Sequence, residues 1–122
     1  MVYSGEGIRK LISEGKLKVE PAPEIKEASI KIHFSSQLTV NPKEFVMAKS
    51  KETIKMSKDL AGLYDGYTHL ARKGILTHLG SMFVDPGTDG QLTFEVFNAS
   101  DTLITIEEGE RAGHLIILQV ID

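Results

Sequence analysis

A few side chains in this sequence are of the types that chemistry needs. Glu95 stands in QLTFEVFN, where alternation puts Leu92, Phe94 and Val96 on one strand face and Thr93, Glu95 and Phe97 on the other. A carboxylate beside a reacting group can take a proton from water and hand one on, and this mixed face suits a pocket wall. The plainer reading is an ordinary glutamate on the wet side of a half-buried strand. Asp85 opens DPGTDG, where an aspartate commonly bonds the backbone two residues on and shapes the turn. Thr68 and Arg72 in YTHLAR offer a hydroxyl and a permanently charged fork; an edge-strand β-former and a surface arginine are the plainer readings. His33, His69, His78 and His114 form no His-x-His or His-x-x-x-His pair, so no protein-held metal is expected. The chain has no cysteine, which excludes disulfides, thiolate metal sites and a cysteine nucleophile. It also excludes the nucleobase deaminase design built on Cys-ligated zinc.

The elements that must position these groups read as one helix followed by strands. SGEGIRKLISEGKL predicts a short helix, capped by Ser4, with Glu6 in its first turn, Ile8, Leu11 and Ile12 on one face, and Gly15 as its stop. Pro21 and Pro23 mark an extended linker in PAPEIKEA. From there the period becomes two. ASIKIHF alternates Ile30, Ile32 and Phe34 against Lys31 and His33; EFVMAKS and ETIKM predict two short strands joined around Lys49 to Lys51. TLITIEE continues the pattern, and HLIILQVID is an apolar run of buried-strand type. DPGTDG, NASD and EEGER are turns. Many short strands with no βαβ alternation predict a mainly β sandwich or barrel with one N-terminal helix.

At 122 residues the chain is one domain, 1–122, with an N-terminal helix and turn over 1–20 and a β-fold over 28–122. Its 41% hydrophobic content can build a core, and a formal charge of -3 with interspersed signs argues against a nucleic-acid backbone binder. No apolar run approaches a membrane span and the start lacks a signal-peptide core, so a cytoplasmic protein without membrane partners is the default.

Three stretches, in order and at matching spacing, resemble the dCTP deaminase family and its relatives, the trimeric dUTPases: LYDGYTHLARKGIL, DPGTDGQLTFEVFN and GERAGHLIIL. LISEGKLKVEP resembles the opening of the deaminases, and ASIKIHF sits at their first long strand with Lys31 and His33 in place of Asp and Arg. The resemblance implies a dUTPase-like β-clip and sites between the subunits of a homotrimer, an assembly that also hides strand edges. It implies that Glu95 is the general base and acid for hydrolytic loss of the cytosine 4-amino group, a carboxylate that trimeric dUTPases generally lack. Arg72 would hold the geometry around that carboxylate. Thr68, replacing a serine, would position water or cytosine with a stiffer χ1. Asp85 would meet the deoxyribose 3′-hydroxyl, and in dUTPases its counterpart activates the attacking water. Gly80 and Ser81 would face the pyrimidine edge, and Thr93 and Phe94 belong to the same nucleotide-binding strand. Tyr67 replaces an arginine that grips phosphate, bringing one neutral hydrogen bond and no charge, and His69 fills a place usually held by a small residue. Arg111 resembles a strand-bracing basic residue, and His114 replaces a glutamine.

The expectation is therefore a zinc-independent dCTP deaminase acting on a deoxynucleoside triphosphate, with any magnesium carried by the phosphates. A dUTP pyrophosphatase using Asp85 and magnesium is one alternative, and a catalytically silent trimeric nucleotide-binding or regulatory module is another. Both families close their sites with a C-terminal segment, and none follows HLIILQVI before Asp122. A shortened chain, a lid supplied by another chain and a silent member are three readings of that.

Overall fold

Ser4 starts the first element as its side chain implies: Oγ accepts the Gly7 N–H at 3.1 Å, giving a capped helix α1 (Gly5–Ser13) that buries Ile8 and Leu11. Gly15, at φ 77°, ends it in the left-handed region. A computed structural model describes residues 1–122. The strands that follow are β1 (Leu17–Glu20), β2 (Glu24–Ile25), β3 (Ile30–His33), β4 (Leu38–Val40), β5 (Phe45–Met56) and β6 (Leu60–Gly66). After them come a short helix α2 (Thr68–Arg72), then β7 (Ile75–Leu76), β8 (Phe83–Val84), β9 (Asp89–Asn98), β10 (Ile104–Ile106) and β11 (Arg111–Gln119).

The strands form three antiparallel sheets, ordered β1-β5-β9-β7, β10-β4 and β2-β3-β11-β6-β8. None closes into a barrel, so of the two expected architectures it is the layered one that is found. The alternation foreseen in β3 and β9 decides which faces meet. Ile30, Ile32 and Phe34 on one side and Phe94 and Val96 on the other are buried together with Leu115 and Ile117 of β11. Phe34 meets Phe94 edge-on at 5.2 Å between centroids, and Tyr64 tilts onto Phe94 at 5.3 Å.

Three features differ from the sequence reading. EFVMAKS and ETIKM are one 12-residue strand, β5, with a register break against β9 between Lys49 and Thr53. Buried Ser50 bridges the break: its hydroxyl accepts from the Leu92 N–H at 2.8 Å and its carbonyl from Gln91 Nε2 at 2.8 Å. The segment over 1–20 is more than a helix and turn, because β1 pairs with β5, while the linker contributes β2 to the other sheet. Finally, Thr68 is not in an edge strand. It opens α2, a second helix anchored by buried Leu70 and stopped before Gly74 at φ 89°.

Candidate functional site

Strand β9 carries Glu95 outward because Phe94 and Val96 are drawn into the core. Its row neighbours on the same face are Met47 across β5 and, one row on, Phe97, Phe45 and Leu76. Met47, Phe45 and Leu76 are exposed, while the row on the other side pairs exposed Thr93 with Lys49, so the carboxylate stands where an apolar patch meets a polar one. One oxygen, Oε1, accepts the backbone N–H groups of Leu79 and Gly80, each at 3.1 Å. The other, Oε2, accepts no hydrogen bond. The Gly80 and Leu79 N–H groups, with His78 nearby, hold the Glu95 carboxyl below its usual range. It is therefore ionised at neutral pH, as a group that takes a proton from water must be.

The 79–80 segment that Glu95 fastens leads directly into a cavity of about 210 Å³ between β6, β8 and β9. Ser81, Asp85, Thr93, Gln91 and His78 supply its polar wall. Of the sequence-predicted residues, the structure thus brings Ser81, Asp85 and Thr93 to the lining of one cavity, while Glu95 stands outside that lining and is tied to it through the Gly80 N–H, next in chain to Ser81. Phe94 lines the same cavity. Its side chain is 1% exposed and committed to Phe34 and Tyr64, so it reaches the cavity only as a packed wall. Asp85 is the one carboxylate lining this cavity, and no group of three or more His, Asp or Glu comes together as a ligand set.

Tyr67, Thr68, His69 and Arg72 lie apart, on α2 and its cap. The Tyr67 hydroxyl accepts from Arg111 Nη1 at 3.3 Å, and its ring has Lys31 Nζ at 5.5 Å and Arg111 Cζ at 5.8 Å from the centroid. His114 meets the ring edge-on at 6.1 Å, and His69 tilts toward it at 6.4 Å. Arg111 in turn forks onto Glu24 of β2, with Nε on Oε1 at 3.2 Å and Nη2 on Oε2. Arg111 and His33 beside it pull the Glu24 carboxyl down to about 2. Burial, with Lys31 alongside, lowers His114. Thr68 and Arg72 are exposed, and their side chains make no hydrogen bond or ion pair. Within one chain they do not meet Glu95.

Sequence reasoning did not bring His78 to the cavity that holds Asp85. The sequence offers it only as a metal-ligand candidate, yet it lines that cavity and also a second one of about 260 Å³ next to Tyr67. Its Nε2 lies 3.4 Å from Asp65 Oδ1 and its ring stacks edge-on against Tyr64 at 5.7 Å. Its one signal was nearness in sequence to Gly80. Tyr64 was missed as well. Its hydroxyl shares a 2.8 Å hydrogen bond with buried Thr77, and burial pushes its ionisation well up.

Comparison with known proteins adds to this geometry. A family profile described as dCTP deaminase-like matches residues 29–120. A protein of Mycobacterium avium (strain 104) named "dCTP deaminase, dUMP-forming" is 40% identical over 81 residues, 66% of this chain and 43% of its own length. One of the same name from Mycobacterium sp. (strain KMS) is 34% identical over 104 residues, 84% of this chain and 55% of its own. The chain thus spans about half the length of the curated relatives it matches. Among solved structures, a native EIAV dUTPase superposes with TM-score 0.72 at 19% identity, covering 85% of this chain and 88% of its own. The dUTPase of Staphylococcus bacteriophage 80alpha, with dUPNHPP, gives 0.73 at 18%, covering 87% and 83%. These two likenesses establish the fold.

Proposed function

Because the chain belongs to the dCTP deaminase-like family, we propose that it binds a deoxycytidine nucleotide, dCTP, and removes the 4-amino group by zinc-independent hydrolysis. The observation that carries this is Glu95: an ionised carboxylate, free at one oxygen and fixed at the other by the Leu79 and Gly80 N–H groups, which lead into the cavity that holds Asp85. In this reading Glu95 takes a proton from water as the water oxygen adds to C4, and passes it to the ring nitrogen. It then takes the proton of the new hydroxyl and gives it to the amino group as the C4–N bond breaks. Ammonia leaves, a deoxyuridine nucleotide remains, and Glu95 is again ionised. Asp85 accepts from the sugar 3′-hydroxyl, and the Ser81 segment and Thr93 frame the base.

Thr68 and Arg72 stand away from Glu95 in one chain, so their proposed work of orienting water and ring requires a neighbouring copy. A homotrimer supplies one, covering the apolar patch beside Glu95 at the same time. Tyr67 and His69 would then border the phosphates, and magnesium would arrive on them. A second chemistry is favoured by Asp85 in the cavity wall and by the relatives' name, whose product is dUMP. With magnesium on the phosphates, Asp85 would activate a water for release of pyrophosphate.

Purified protein incubated with dCTP and with dUTP, in the presence of magnesium, separates these readings when ammonia and pyrophosphate are assayed independently. Ammonia from dCTP alone supports the deaminase, and both products from dCTP support the dUMP-forming version. Pyrophosphate from dUTP without ammonia from dCTP supports the pyrophosphatase. Neither product, with nucleotide bound in calorimetry, leaves the silent binding module; no binding overturns all of these.

A further inference from the structure

We propose that His33 is a proton-dependent clamp that holds Tyr67, and through it the first turn of α2, in place. His33 ends β3 on the outer face of the five-stranded sheet, and each of its ring nitrogens faces a carboxylate. Nδ1 lies 2.5 Å from Glu52 Oε2 and Nε2 lies 2.8 Å from Glu24 Oε1. Ionised carboxylates only accept, so both contacts are hydrogen bonds only when both nitrogens carry hydrogen. Remove one proton and a lone pair is left facing a carboxylate oxygen at contact distance, where attraction becomes repulsion.

Which carboxylate gives way follows from how each is held. Glu52 on β5 is 4% exposed, and its Oε1 also accepts the His33 backbone N–H at 2.9 Å. Glu24 on the short edge strand β2 is 31% exposed. Glu24 is the movable partner. It does not move alone, because the Arg111 fork is seated on it and Arg111 Nη1 donates to the Tyr67 hydroxyl. Tyr67 is the N-cap of α2, and its carbonyl accepts the N–H groups of Leu70 and Ala71, each at 3.1 Å. The charged groups facing the clamp are few: Glu52 from β5, Glu24 with Lys26 at 3.6 Å from β2 and its flank, and Arg111 from β11. Lys31, further along β3, is engaged with His114 Nδ1 at 2.8 Å. Glu24, His33 and Arg111 are thus positioning residues for Thr68 and Arg72. That bearing on catalysis rests on the deaminase reading; the clamp itself does not.

The test is a nuclear magnetic resonance titration of the full chain, carried from acid to alkaline pH until the His33 ring loses one of its two protons. Ring ¹⁵N shifts of His33 report its protonation, and the Leu70 and Ala71 amides report on Tyr67. The expected result is two protonated ring nitrogens at the acid end and one at the alkaline end. Amide protection, corrected for intrinsic exchange, should fall about tenfold with the same midpoint, the size of one lost charged hydrogen bond. His33→Arg, always charged and able to donate to both carboxylates, should abolish the pH dependence, and His33→Gln should show low protection throughout. Flat protection in the unmodified protein, or a singly protonated ring at the acid end, overturns the proposal even if neither variant folds. In turnover, kcat/KM for dCTP should show the same alkaline limb, absent in His33→Arg. Lack of turnover sinks the deaminase reading and leaves the exchange data to decide the clamp.

Discussion

Replacing Phe94 by alanine tests the packing that turns Glu95 outward. Phe94 is 1% exposed and sits between Phe34 and Tyr64, at 5.2 and 5.3 Å between ring centroids. A buried Phe→Ala change costs about 3–5 kcal/mol through lost transfer energy and the cavity left behind. Each aromatic pair adds about 0.5–1.5 kcal/mol beyond area, so with both rings unpaired the upper part of that range applies, about 4–5 kcal/mol. For a chain of 122 residues, an unfolding entropy of about 2.1 cal/mol/K per residue gives about 0.26 kcal/mol/K, so the melting temperature should fall by about 15–20 °C. Phe94→Leu keeps most of the volume and should cost about 1–2 kcal/mol. Urea unfolding at fixed protein concentration, with m compared across the three proteins, measures both. A loss below about 1.5 kcal/mol for Phe94→Ala, or equal losses for both variants, would refute the assignment of this ring to the core between the sheets.

Other perturbations follow from the same geometry. The Glu24 carboxyl, held down to about 2 chiefly by Arg111, contributes stability that is complete above its unfolded value of 4.5 and is lost as pH falls through about 2. With its partial exposure allowed for, that is about 1–2 kcal/mol; acid unfolding curves should show it, and Arg111→Met should flatten them over this window. An unchanged acid limb in that variant would contradict the pairing. A Cβ at Gly113 would lie 2.1 Å from the Asp65 carbonyl oxygen and 2.7 Å from the Tyr64 hydroxyl. Because a paired strand cannot retreat, Gly113→Ala should cost about 2–3 kcal/mol in thermal unfolding, and an unshifted melting curve would show that β11 and β6 do not approach this closely. Buried Asn98 donates to the Val40 and Thr102 carbonyls and accepts from the Ser100 N–H and hydroxyl. Asn98→Ala should cost about 2–3 kcal/mol, and a loss under about 0.5 kcal/mol would mean that the turn holds itself.

What could be read from the sequence divides by the range of the forces involved. Ser4, Gly15 and the alternation of β3 and β9 act on neighbours within a few residues, and the structure bears them out. The five residues of α2 are too few to display a helical period, and what anchors them, Leu70 in the core, is a tertiary fact. The polar run Lys49 to Lys51 reads as a break because the register shift that lets β5 continue is held by Ser50 contacts with Leu92 and Gln91, far along the chain. The site divides in the same way. The outward turn of Glu95 could be read from alternation, and Asp85 and Ser81 are singled out by resemblance. The apartness of Thr68 and Arg72, the position of His78 between two cavities and the contacts of His33 with Glu24 and Glu52 arise from the packing of segments distant in the chain. No local pattern encodes them.

The central claim is that Glu95 moves the protons of deamination. Its most direct test is ammonia release from dCTP by the unmodified protein and by Glu95→Gln, with dCTP binding measured calorimetrically on both. The glutamine keeps an oxygen for the Leu79 and Gly80 N–H groups but cannot accept a proton from water, so binding should change less than about threefold while ammonia release falls by at least about 10²-fold. Equal ammonia release from the two proteins, with dCTP bound by both, would contradict the claim.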